Sequence, residues 1–285
     1  MRPIAEAYKD FPILHKEHNG HRVIYLDSGA TAQIPQSVID RVVEHMTQRN
    51  GNPHRGSHIL AIEASEDYEN ARDRVVEFIN AREREEVIFT RNSTESMNLI
   101  AYSYGLHNVK KGDKIVITVA EHHANLVTWQ YVAEQTGATL EYMYLDEHGH
   151  LKDGEINKID EKTKIVAFAH VSNVLGMEFP VKELTEKAHS VGAIVVLDGA
   201  QSTPHKKIDV QALDCDFFVF SGHKMCASQG IGVLYGKRDL LETMPPFLLG
   251  GDMIEYVKEQ TATFNELPYK FEAGTPNADG AVSLH

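Results

Sequence analysis

Ala193-Ile194-Val195-Val196-Leu197-Asp198-Gly199-Ala200-Gln201-Ser202 is the stretch on which the fold turns. Five apolar residues in a row, with no polar alternation, describe a strand buried on both faces. The run stops at a carboxylate followed by glycine, as a strand does when it leaves the sheet at a ligand-binding rim. Six further short runs rich in β-branched and aromatic residues read the same way, at 87–90, 114–119, 139–144, 164–170, 217–221 and 231–235. Stretches of about a dozen residues with helical spacing separate the first six strands, for example 94–106 and 181–191. Alternation of this kind predicts an α/β fold, a mostly parallel seven-stranded sheet with helices on both faces. Only about ten residues join the last two strands, too few for a parallel crossover, so one of that pair is expected to run antiparallel.

Two helices are expected ahead of the sheet, at 35–48 and 65–80. In the second, Tyr68, Ala71, Val75, Val76 and Ile79 recur on one face. The first thirty or so residues read as irregular, as does the region after Gly236, with Pro245-Pro246, Gly250-Gly251 and Pro268. The run Gly274-Thr275-Pro276-Asn277 reads as a helix start close to the last residue. The expected organisation is an N-terminal arm at 1–35, a large domain at 36–270, and the beginning of a small domain at 271–285.

Composition bounds the function. The 285 residues carry 28 Lys and Arg against 41 Asp and Glu, a formal net charge of −13. Such a chain disfavours nucleic acid and anionic membrane surfaces as partners. Hydrophobic residues make up 42%, enough for a real core. Two cysteines exclude a disulfide scaffold and fit a reducing compartment. No apolar run approaches a membrane span, and the N-terminus lacks the apolar core of a signal peptide, so a cytoplasmic protein is expected. His54 and His58 stand four apart without a third ligand at useful spacing, and no metal is expected. Gly230-Ile231-Gly232 opens a strand rather than a strand-to-helix turn, which excludes a dinucleotide fingerprint.

The strand ends carry the chemistry. Five of them deliver Asp198 with Gln201; Ser221, His223 and Lys224; Asn173; Glu121, His122 and His123; and the helix start Ser93-Thr94-Glu95. Each alone has a plain structural reading. An Asp after a strand commonly caps the next helix, a strand-end Lys is commonly solvated, and Ser93-Thr94 can serve only as a cap. Their joint occurrence on one rim is what points to chemistry. A lysine amine can form a Schiff base with an aldehyde cofactor. Pyridoxal 5'-phosphate needs such a lysine, a carboxylate beside its ring nitrogen and a cradle for its phosphate.

The runs Tyr25-Leu26-Asp27-Ser28-Gly29-Ala30-Thr31-Ala32, Glu121-His122-His123-Ala124-Asn125, Asn173-Val174-Leu175-Gly176, Asp198-Gly199-Ala200-Gln201-Ser202 and Ser221-Gly222-His223-Lys224-Met225 resemble class V aminotransferases. Within that class the chain is similar to the SufS-type cysteine desulfurases, a group that includes selenocysteine lyases. The resemblance covers nearly the whole chain. It implies a fold-type I enzyme dependent on pyridoxal phosphate, which converts L-cysteine to L-alanine and passes sulfur through an enzyme persulfide to an acceptor protein of iron–sulfur assembly. It further implies Lys224 as the Schiff-base lysine, Asp198 at the ring nitrogen, and His122 stacked on the ring as a proton carrier. Asn173 and Gln201 would hold the phenolic oxygen, and Ser93, Thr94, Glu95, Ser221 and His223 the phosphate side. Thr275 resembles the residue that reaches the phosphate of a neighbouring subunit, implying a homodimer. Ala30, Thr31, His54 and Arg55 resemble substrate-side loops.

The resemblance also sets a contrast. The family carries its nucleophilic cysteine and a substrate-binding arginine in a C-terminal small domain whose first helix would begin near residue 278. Neither Cys215 nor Cys226 matches the nucleophile's motif. Impaired desulfuration by these 285 residues is therefore expected. Selenocysteine lyase, cysteine sulfinate desulfinase and an inactive cofactor-binding or dimerising fragment are the alternative readings. Ala227-Ser228-Gln229-Gly230 replaces the Gly-Pro-Thr-Gly of relatives, and Asn92-Ser93 the usual Gly-Thr.

Overall fold

A computed structural model describes residues 4–285, so the first three residues of the expected arm lie outside the described residues. The seven expected strands are present: β1 Val87–Thr90, β2 Lys114–Thr118, β3 Thr139–Met143, β4 Thr163–Ala169, β5 Ile194–Asp198, β6 Phe217–Ser221 and β7 Gly232–Gly236. They form one sheet in the order β1-β7-β6-β5-β4-β2-β3. All pairings are parallel except those of β7, which runs antiparallel to both β1 and β6. The short connection between β6 and β7 thus makes the hairpin that its length demanded.

The period of two along each strand divides the core. Val195 and Leu197 of β5 face one side with Phe218 and Phe220 of β6, while Ile194 and Val196 face the other with Phe217 and Val219. Helix α1 spans Gln36–Gln48 and α2 spans Ile59–Ile79. Tyr68, Ala71, Val75 and Ile79 of α2 and Leu184 and Ala188 of α5 (Val181–Ser190) cover the first face. Met97 and Leu99 of α3 (Ser93–Ile100) and Trp129 and Val132 of α4 (His123–Thr136) cover the second. Helix α6, Ala278–Leu284, inserts Ala281 into the first core and packs against α1 and α2. Among the described residues no helix is long and apolar enough to cross a membrane.

Three expectations need correction. Helix α2 begins six residues before 65, because His58 caps it, its ring nitrogen accepting the Ala61 N–H at 3.3 Å. The helix expected over 94–106 is interrupted by a wide turn at Ala101–Gly105, where the backbone of Gly105 lies against Val132 and Trp129. The region after Gly236 is less irregular than its prolines suggest. It holds a helix at Arg238–Thr243 and a small hairpin of Ile254–Val257 with Ala262–Phe264.

Candidate active site

At the carboxyl end of the sheet, Ser93, His122, Asn173, Asp198, Gln201 and Lys224 line one small open cleft. Backbone geometry dictates who reaches it. β5 ends at Asp198, and Gly199 follows because a Cβ there would lie 2.0 Å from the Phe218 ring. β6 ends at Ser221, and a tight turn through Gly222 presents Lys224 beside it. β7 starts at Gly232, whose position leaves no room for a side chain, since a Cβ would lie 2.5 Å from Asn92. That close approach seats the first turn of α3 against the Lys224 loop. The Ser93 N–H donates to Ser221 Oγ at 2.9 Å, and the two hydroxyls pair at 2.9 Å. Asn92 caps α3 by accepting the Glu95 N–H, and Ser93 at the helix start lines the cleft with its hydroxyl paired to that of Ser221.

The charges are poised. Asp198 is buried, and its Oδ1 accepts the Ala200 N–H at 2.9 Å. Burial raises its pKa, against the opposing pull of His122 and Lys224. Burial lowers the pKa of Lys224, opposed by Asp198, which increases the share of neutral amine. The pKa of His122 is likewise lowered, first by partial loss of solvent and then by Lys224 and His123, with Asp198 opposing. His122 Nδ1 accepts the Ala124 N–H at 3.1 Å, which leaves the proton of the neutral ring on Nε2. Directly before it stands Glu121, whose carboxyl is pushed up to about 8 by burial and the nearby Asp198 charge.

The arm supplies a second wall. Thr31 Oγ1 donates to the His223 carbonyl at 3.2 Å and pairs with His223 Nδ1 at 3.1 Å, and Ala32 N–H donates to the same carbonyl at 2.9 Å. Gln201 Nε2 donates to the Gly29 carbonyl at 2.8 Å, which brings Ala30 to the rim. His223 is therefore engaged with the arm.

Other expected residues lie apart from this cleft. Glu95 closes the turn before α3, accepting the Arg91 N–H at 2.6 Å and pairing with Arg91 Nε at 2.8 Å. Its carboxylate acts there as a cap. Glu95 and Thr275 both line a separate cavity of about 390 Å³, which Tyr68 and Phe89 also line. Thr94 is exposed on the first turn of α3 and is not part of the cleft's lining. His54 pairs with Glu69 at 3.1 Å and packs edge-on against Tyr68 and Tyr269, while Arg55 is ion-paired with Asp252. A larger cleft, about 950 Å³ near the start of α5, contains none of the residues that meet at Lys224.

The residue that sequence reasoning passed over is Glu121. It was one of the strand-end residues, yet a carboxylate between a strand and a paired histidine carries no pattern that predicts burial. Both cysteines are poor nucleophiles. Cys215 is buried, and burial raises its thiol pKa strongly. Cys226 is half-buried, and burial raises its pKa as well.

The donor set fits pyridoxal phosphate on the structure's own terms. A buried carboxylate whose only hydrogen bond among the described residues is one backbone N–H favours a cationic partner such as a protonated ring nitrogen. A lysine of lowered pKa stands across from it, and a helix N-terminus with two hydroxyls lies alongside.

Comparison with known proteins agrees. The model of the aminotransferase class-V family matches residues 24–285. The chain is 53% identical over 280 residues to a probable cysteine desulfurase of Halalkalibacterium halodurans, covering 98% of this chain and 69% of that protein. It is 50% identical over 282 residues to a cysteine desulfurase of Haloferax volcanii, covering 94% and 66% respectively. Among solved structures, the apo cysteine desulfurase of Thermococcus onnurineus superposes with a TM-score of 0.93 at 41% identity, covering all of this chain and 69% of that one. The Escherichia coli cysteine desulfurase CsdA gives 0.89 at 40%, covering all of this chain and 70% of that one. With a matched model over most of its length and relatives at about half identity, the chain belongs to the class V aminotransferase family.

Proposed function

We propose that this chain is the cofactor-binding portion of a cysteine desulfurase, taking L-cysteine to L-alanine with pyridoxal phosphate held at Lys224. The observation that carries this is the meeting of Lys224 and Asp198, from separate strand ends, in one cleft with His122, Asn173 and Gln201. When bound, pyridoxal phosphate supplies an electron sink for the pair left on the substrate's Cα. Everything else falls to side chains. Lys224 Nζ, with its lowered pKa, would hold the cofactor's aldehyde carbon and, when released from it, would accept a proton. Asp198 holds positive charge at the ring nitrogen. His122 covers the ring, with Nε2 carrying the mobile proton. Asn173 and Gln201 orient the ring, and Ser93, Thr94, Ser221 and His223 with the start of α3 receive the phosphate. Thr275, which lines the separate cavity and not this cleft, would by the family resemblance serve the phosphate of a second copy in a homodimer. By the family resemblance Ala30, Thr31, His54 and Arg55 would serve the substrate side, although His54 and Arg55 are held apart from this cleft by Glu69 and Asp252.

Sulfur would leave through a thiolate that attacks the substrate sulfur and becomes a persulfide, for delivery to an acceptor protein of iron–sulfur assembly. Neither cysteine here suits that step, so the 285 residues alone are expected to bind cofactor and L-cysteine but to make no persulfide. We assign 1–35 as an arm, 36–270 as the large domain and 271–285 as the opening of a further unit.

Borohydride reduction after loading tests the reading: the cofactor should remain on the Lys224 peptide. Label on another lysine, or none, defeats it. Offering selenocysteine and cysteine sulfinate beside cysteine decides between the desulfurase and its two near alternatives. Alanine and sulfide that vanish in Cys226→Ser would instead show a nucleophile within these residues.

A further inference from the structure

Glu121 does not line the cleft, yet it directly precedes His122 and interacts with Asp198 and the Ala169 backbone, both of which belong to residues that do. It leaves β2 three residues after Thr118 and accepts the Thr118 hydroxyl on Oε1. On Oε2 it accepts Asn125 Nδ2 at 2.6 Å. Asn125, fully buried in the first turn of α4, also donates its N–H to the His122 carbonyl at 2.8 Å. Its side-chain oxygen accepts the indole N–H of Trp129 at 2.7 Å. A continuous hydrogen-bonded chain thus runs Thr118, Glu121, Asn125, Trp129, and the turn bearing His122 is enclosed by it.

We propose that Glu121 is a positioning residue: through Thr118 and Asn125 it clamps the turn that carries His122 between β2 and α4, directly behind Asp198. The proposal rests on the reading of this cleft as the cofactor site. The charged group facing Glu121 from a neighbouring element is Asp198 of β5; from β4 it meets only the Ala169 backbone, and from β2 and α4 the neutral Thr118 and Asn125. A second ionised carboxylate behind Asp198 would be repelled. Burial and the Asp198 charge favour the protonated form of Glu121, against the Thr118 and Asn125 donors that favour its ionised form, and Asp198 is the one negative side chain lining the cleft.

Trp129, the single tryptophan, reports on this directly, because one amide separates it from Glu121. The full chain without cofactor is titrated by tryptophan emission. A transition near pH 8 is expected in the wild type and its loss in Glu121→Gln. Thr118→Val removes a donor that favours the ionised form and should move the transition to higher pH. In parallel the His122 imidazole is titrated by NMR, its signal assigned with His122→Gln. Glu121→Gln should leave the lowered pKa of His122 in place, while Glu121→Ala should let it drift up toward the ordinary value. Emission that is flat with pH in the wild type, or that titrates equally in Glu121→Gln, overturns the proposal, as does an unchanged His122 in Glu121→Ala. Failure of borohydride to label Lys224 would defeat the cofactor reading instead and leave these titrations standing.

Discussion

Asp198 and Glu121 are neighbouring carboxyls, the first lining the cleft and the second outside its lining, and their different surroundings set different tasks. Asp198 faces Lys224 and His122, so its charge has partners. Asp198→Asn keeps the shape and removes the charge. Exchange of the alanine α-proton with solvent should fall roughly a hundred- to a thousandfold, the scale for removing one preorganised electrostatic partner. An unchanged exchange rate would show that Asp198 does not serve the ring. Glu121 also couples the site to stability. Its folded pKa is raised from the ordinary 4.5 to about 8, so the folded chain binds more protons than the unfolded chain between those values. Its contribution is complete below the unfolded value and is lost as pH climbs through about 8. Urea midpoints measured across that range should decline with pH by more in the wild type than in Glu121→Gln. At this scale the sequence was largely legible. Lys224, Asp198, His122 and Gln201 were readable as candidates because each lies at a strand's end or within a few residues of it. Glu121 was not, because its meaning comes from Asp198, 77 positions away in the chain.

Elements explain the precision of the phosphate side. α3 begins where it does because Asn92 caps it and because β7 passes at van der Waals distance through Gly232. Gly232→Ala would force a Cβ into the Asn92 backbone, which cannot yield as a flexible side chain would. Overpacking of this kind costs about 1–3 kcal/mol. It should also push Ser93 away from Ser221, so cofactor affinity should fall along with Tm. Loss of stability at full cofactor affinity would show that the two are not linked. The strands were legible to within a residue or so, since two-faced burial produces unbroken apolar runs. Helix ends were less so. The start of α2 depends on a histidine cap, an uncommon choice, and the wide turn at Ala101–Gly105 depends on what α4 places against it.

The whole molecule is tied across its length by one buried cation. Arg72 of α2 is fully enclosed and forks onto Glu272 at 2.8 Å through both terminal nitrogens, and it also meets Glu69 at 3.0 Å. Glu272 in turn accepts the Phe89 N–H at 2.7 Å and the Tyr68 hydroxyl at 2.9 Å. The cluster joins the His54 loop, β1 and the segment that carries Thr275. Arg72→Met leaves Glu272 buried without its partner, and breaking such a pair costs about 3–5 kcal/mol. If Thr275 serves a second copy, the same variant should weaken the dimer in sedimentation. A dimer of undiminished affinity would separate the cluster from assembly. The pairing order of the sheet has a further consequence. β1 lies beside β7, the last strand of this sheet to be made, and the contact of Ser93 with Ser221 spans 128 residues. Loop closure over such a distance is slow and must wait for distant partners. A growing chain can therefore zip β2 through β6 early, but it cannot seal the phosphate cradle until residue 236 has been synthesised. If the cleft holds pyridoxal phosphate as proposed, its capture is a late event in biogenesis, and a ribosome-bound chain halted before β7 should not retain it.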